Sequence, residues 1–166
     1  MNLTGWIRAL ALLLFLPLPA VGQEDVRIGE LTFLDRQYMM QSRSDLEALA
    51  SRNFGTGFNG NRDHDLTILQ RLLDSRLVRA DQTRELQAMG MVMGDLLAAE
   101  FDLHWVVYED AVGRSRALRY RQTDNYLFPV TMVSRRREAG SDTSIVDIYA
   151  RARAAIEPVI EPLPFQ

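Results

Sequence analysis

The chain has 166 residues, a formal net charge of −3 and 47% hydrophobic residues, the balance of an ordinary globular protein rather than a disordered one. It has no cysteine, which excludes disulfides, cysteine nucleophiles and a lipid anchor on a cysteine thiol. All 19 basic residues are arginine and are spread along the chain, without the basic excess that nucleic-acid binding requires.

Arg8 precedes an apolar run over residues 9–16, followed by Pro17, Leu18 and Pro19 and a small-residue exit at Ala20-Val21-Gly22. A short positive head, an apolar stretch of about ten residues and a small-x-small end are the pattern of a secretory signal peptide. A spanning helix needs about 20 apolar residues, so this run is too short to be one. The expectation is a signal peptide over 1–22 and an exported domain, periplasmic or secreted, over 23–166, with no integral membrane segment after cleavage. At about 145 residues that domain is large enough to bury roughly two-thirds of its unfolded surface around a single core.

After the expected cut, residues 24–31 read as an extended lead-in. Thr32 opens a first helix with Leu34, Tyr38, Leu46 and Leu49 at helical spacing, ended by Gly55. The stretch 55–61 (GTGFNGN) reads as a loop. A second helix begins near Asp65 with Leu66, Leu69, Leu72, Leu73 and Leu77 on one side. Asp81 is the expected N-cap of a third, with Leu86, Met89, Gly90, Met93, Gly94 and Leu97 along one face. The period then changes. Residues 104–108 (HWVVY) are aromatic and β-branched and predict a strand, with a turn at 109–113 and a return strand at 117–121. A turn at 123–125 leads to a third strand at 126–128. Pro129 suits the first turn of a helix over 130–139 with Gly140 as its C-cap, and Asp142-Thr143-Ser144 suits the cap of a last helix. The prediction is an α+β fold: N-terminal helices packed on a small three-stranded antiparallel sheet, followed by C-terminal helices.

Residues 89–149 carry a spaced pattern: Gly90-x-x-x-Gly94-Asp95, then residues 104–110 (HWVVYED), Gly113, residues 126–136 (YLFPVTMVSRR), Gly140 and Val146-Asp147. In this pattern the chain resembles an uncharacterised family of small, often exported bacterial proteins, a domain of unknown function. The resemblance implies no activity. It implies that Gly94, Asp95, Trp105 and Pro129 belong to one unit, the third helix laid on the hairpin. Two glycines inside a helix cost about 2 kcal/mol against alanine, so Gly90 and Gly94 are expected to admit a close neighbour such as Trp105, a structural role shared with Pro129.

No nucleophile elbow, phosphate loop or zinc-protease helix is present. Asp95, His104, Glu109 and Asp110 are the candidates for acid–base catalysis. His64 and His104 lack a close ligand spacing, so no metal site and no cofactor is expected. Met89 and Met93 share an apolar stripe from which Met91 points away, which fits core packing better than copper binding. Arg135, Arg136 and Arg137 read as a solvated helix end. The function expected is a non-enzymatic binding domain of the bacterial cell envelope. Its partner would be a protein or another envelope component, held at Trp105, Arg119, Arg121 and Tyr126, with Tyr120 beside them. The alternatives are an envelope hydrolase using Asp95, Glu109 or Asp110 with His104, and a periplasmic metal binder using His64, His104 and methionines.

Overall fold

The chain runs β1 (Arg27–Glu30), α1 (Phe33–Phe54), α2 (Arg62–Asp74), α3 (Thr83–Phe101), β2 (Leu103–Asp110), β3 (Gly113–Tyr120), β4 (Tyr126–Leu127), a 3-10 turn (Pro129–Thr131), α4 (Ser134–Glu138), α5 (Ile145–Ile156) and a closing 3-10 turn (Glu157–Val159). The computed structural model describes residues 26–160, so the signal peptide expected over 1–22 lies outside the described residues. The sheet is antiparallel and four-stranded in the order β1-β2-β3-β4. The expectation of three strands is therefore corrected by β1. Its four residues (RIGE) have no apolar alternation of their own, and their partner strand lies three helices further along.

Local chemistry accounts for the helix ends. Thr32 and Asp35 form a reciprocal capping box at the start of α1, and Gly55 (φ 68°) closes it in the left-handed region that glycine adopts at little cost. Asn61 and Ser144 cap α2 and α5 through their side chains. Asp81, expected to cap α3, instead pairs with Arg79, and Gln82 holds the cap position with its side chain accepting from the Arg79 backbone rather than from the helix. The helix expected over 130–139 is broken into the Pro129–Thr131 turn and α4, closed by Gly140 at φ 74°.

The inward stripe of α1 is Asp35, Met39, Ser42, Leu46 and Ala50; of the predicted stripe, Leu34 is 72% exposed and out of phase, while Tyr38 is half-buried and Leu46 buried. The position that should have held an apolar side chain holds a carboxylate with partners far along the chain. Helix α3 lies at the centre and is buried nearly all round, as an apolar helix without a wet face must be. Leu86, Met89, Met93 and Leu97 join the main core with α2, α5 and the sheet residues Leu103, Leu118 and Tyr120. Met91 faces a second cluster with Met39 and Val130, and Trp105 touches both clusters. No helix among the described residues is long and apolar enough to cross a membrane.

Candidate functional site

The two helix glycines stand against the chain segment that follows β4. A Cβ on Gly90 would lie 2.3 Å from the Pro129 carbonyl oxygen. One on Gly94 would lie 2.5 Å from Trp105 Cζ2 and 2.9 Å from Pro129 Cγ. Trp105 is fixed in that slot by its indole N–H, which donates to Asp95 Oδ1 at 2.9 Å. The same carboxylate accepts a two-pronged bond from Arg43, Nε at 2.6 Å and Nη2 at 2.7 Å, and the Arg43 guanidinium lies 5.9 Å from the Trp105 ring centroid. Asp95 thus holds α1, α3 and β2 together, with both oxygens engaged.

The other acid–base candidates lie elsewhere. Neighbouring strand residues point to opposite faces, so His104 faces away from Trp105 and Asp95. Glu109 and Asp110 lie five and six residues further along β2, about 17–20 Å from His104 at strand rise. Asp110 accepts from the backbone N–H groups of Val112 and Gly113 at 2.9 and 3.0 Å and shapes the hairpin turn. His64 sits in the first turn of α2, with Nε2 3.4 Å from Thr56 Oγ1. Among the described residues no three His, Cys, Asp or Glu side chains gather as a metal site. Met39, Met89, Met91 and Met93 are buried among aliphatic side chains, whereas Met40 is exposed.

The expected binding surface is rearranged. Arg119 is only 16% exposed: it donates to the carbonyls of Thr123 (2.7 Å) and Gln122 (3.0 Å) and lies 5.6 Å from the Tyr126 ring, so it braces the β3–β4 turn. Tyr120 is buried at 3%. Arg121 is exposed at φ 46°, with its guanidinium 5.0 Å from the Tyr120 ring. Tyr126 packs edge-on against Tyr108 at 5.1 Å, and burial raises its hydroxyl pKa. In the arginine run, Arg137 is not solvated: its side chain is 12% exposed and bonds Asp142 and the Thr143 carbonyl. Arg136 donates to the Met132 carbonyl, and only Arg135 is open.

A second arginine–carboxylate cluster lies outside the candidates that the sequence offered. Asp35, 2% exposed, accepts from the Thr32 backbone at 3.0 Å, from Arg114 Nη1 at 2.9 Å and from Arg116 Nε at 3.0 Å. The Arg114 bond holds its carboxyl well below the usual carboxylate range. Burial opposes this, while the Thr32 bonds and the Arg116 charge reinforce it. Arg116 also stacks 4.6 Å over Tyr38, whose hydroxyl donates to Gln87. These arginines form one wall of an open cleft of about 540 Å³ at the hairpin end of β3. Arg135, Val130, Thr131, Tyr108, Phe128 and Asp110 also line it. Three guanidinium groups against one lining carboxylate make it positive, with Asp35 behind the wall as partial compensation. The alternation of Arg114 and Arg116 just before the expected return strand was the one available signal, and it reads equally well as a wet sheet face.

Residues 65–149, just over half of the chain, match the model of a domain of unknown function, DUF3806, and the chain belongs to that family. The chain is also similar to a protein of Bacteroides thetaiotaomicron VPI-5482, known from a crystal structure at 1.50 Å resolution, with a TM-score of 0.68 and 17% sequence identity. The match covers 80% of this chain and 49% of the other, so the chain spans about half the length of the structure it resembles. At that identity the likeness is one of fold. Among curated proteins, none matches this chain in sequence.

Proposed function

We propose that the chain is an exported, non-enzymatic binding domain of the bacterial cell envelope, and that its partner, a protein or another envelope component, sits in the cleft at the hairpin end of β3. The observation that carries this reading is the cleft itself. Arg114, Arg116 and Arg135 converge there with the aromatic rings of Tyr108 and Phe128, a mixture of charge and rigid apolar surface suited to recognition. The dispersal of Asp95, His104, Glu109 and Asp110 supports binding over the hydrolysis reading, which has at least two of them acting together at one bond.

The test is capture of envelope components from solubilised membranes and periplasm by the tagged chain. Arg135→Glu is the informative variant, because Arg135 is exposed on the short helix α4 and its replacement leaves the core untouched. The variant is expected to keep the thermal midpoint of the original chain and to lose the captured component. Equal capture by the two forms overturns the assignment of the cleft. Failure of the chain to reach the periplasm overturns the export.

A further inference from the structure

We propose that the open edge of β3 binds its partner by strand addition, taking up an extended segment in which acidic and apolar residues alternate. This rests on the reading of the cleft as the binding site and adds the chemistry of the occupant. Strand β3 has eight residues, but β4 pairs only with Leu118 and Arg119. Continuing that register would set Pro129 opposite Arg116. Proline has no N–H to donate, and the Pro129 carbonyl is turned towards Gly90 of α3, so the ladder stops there.

Alternation then decides which groups remain. The Tyr120 N–H donates to the Asn125 carbonyl at 3.1 Å, so the backbone groups of Tyr120 and of every second residue before it point to the β4 side. Arg114 and Arg116 are in that set. Their N–H and C=O groups face the cleft, beyond the end of β4, in the spacing that an incoming strand reads. A row of such groups is the template for β-augmentation, in which main-chain bonds supply affinity and alternate side chains supply specificity. The opposite edge, β1, is four residues long with Arg27 and Glu30 at its ends, the kind of short, charged strand that discourages pairing.

The two faces of the edge set the occupant's pattern. On the face towards α1 and α3 lie the guanidinium of Arg114, 41% exposed despite its bond to Asp35, and in the same cleft Arg135, which has no ion-pair partner among the described residues. Carboxylates answer that side. On the other face Ser115 stands opposite Tyr108, whose ring meets Phe128 edge-on at 5.2 Å, and apolar side chains answer there. The occupant alternates the two types because successive strand residues point to opposite faces.

The probe is a fluorescein-labelled peptide of four aspartate–valine repeats with blocked ends, titrated against the full chain by fluorescence anisotropy. Two further peptides carry N-methyl groups on all aspartates or on all valines. Only one alternate set of peptide N–H groups can face β3. One methylated peptide should therefore bind at least about tenfold more weakly while the other stays within about twofold of the parent. Arg135→Glu should weaken the parent peptide about fivefold or more at low salt, with the loss shrinking as salt is raised. Absence of saturable binding, or equal weakening by the two methylation patterns, overturns strand addition. If envelope capture is lost with Arg135→Glu while these peptides fail, the cleft remains the binding site and only the mode of recognition falls. If capture is also indifferent to Arg135, both fall together.

Discussion

The carboxylate of Asp35 is shared between the first turn of its own helix and two arginines of a strand reached only after two more helices, with almost no water around it. In the unfolded chain it titrates near 3.8, and in the folded protein well below that. A carboxyl whose folded value is depressed adds stability that is complete above the unfolded value and is lost as pH falls towards the folded one. Stability is therefore expected to be insensitive to this group from pH 7 to about 5 and to decline below about pH 4. Asp35→Asn should lower stability at pH 7 by roughly 2–3 kcal/mol. That is less than the figure for a fully buried pair, because Arg114 keeps part of its solvent. The variant should also flatten the acid limb. Urea unfolding of both proteins between pH 7 and pH 3 checks it, and parallel curves with equal acid slopes would remove the assigned role. In the sequence Asp35 is legible only as half of a capping box with Thr32, a local pattern. Its other partners belong to another element, and nothing in a run of arginines says which carboxylate they will meet.

At the scale of elements, α3 and β3 each carry a consequence of what lies beside them. Alanine for glycine inside a helix ordinarily gains about 1 kcal/mol. At Gly90 the added carbon would stand 2.3 Å from a backbone oxygen, which cannot swing aside as a side-chain end can. At Gly94 it meets Trp105, itself tied to Asp95. Overpacking of this kind costs about 1–3 kcal/mol and outweighs the propensity. Gly90→Ala and Gly94→Ala should each lower the thermal midpoint by several degrees, Gly90→Ala the more, at roughly 3 °C per kcal/mol. A raised midpoint in either would show that the helix has room there. For β3, the backbone N–H groups of Arg114 and Arg116 should exchange with solvent at least about tenfold faster than those of Ser115 and Ala117, which point to β2. Residue-resolved exchange by NMR reads this, and equal protection would close the edge. The hairpin of β2 and β3 is legible because its alternation and its turn residues are local. The strand β1 is not, since RIGE has no pattern until β2 supplies one. Nor is the double-sided burial of α3: Met91 looks out of phase with Met89 and Met93, and its own cluster with Met39 and Val130 exists only once α1 and the Pro129 segment have folded around it.

For the whole molecule, fold and sequence separate cleanly. A protein with 17% identity has this architecture over 80% of the chain, so the α+β arrangement tolerates replacement of most of its side chains. The cleft depends on fewer and more particular residues, and these came together from β2, β3, α4 and the Pro129 segment, which is why the sequence pointed instead to Trp105, Arg119, Arg121 and Tyr126. The proposed role adds a demand that the fold does not make, namely delivery across a membrane. Residues 1–22 have the charge, apolar length and small-residue exit that a secretory peptidase reads. If they are read so, the periplasmic fraction of a bacterium expressing the chain with its own leader contains a species beginning at Gln23. Intact-mass spectrometry of that fraction tests this directly. Substituting Leu13 and Leu14 by arginine breaks the apolar run and should leave the uncut chain in the cytoplasm. If the cut form persists in the periplasm despite those charges, or if the unaltered chain keeps its full mass inside the cell, the envelope role has no route and the cleft must be assigned a partner elsewhere.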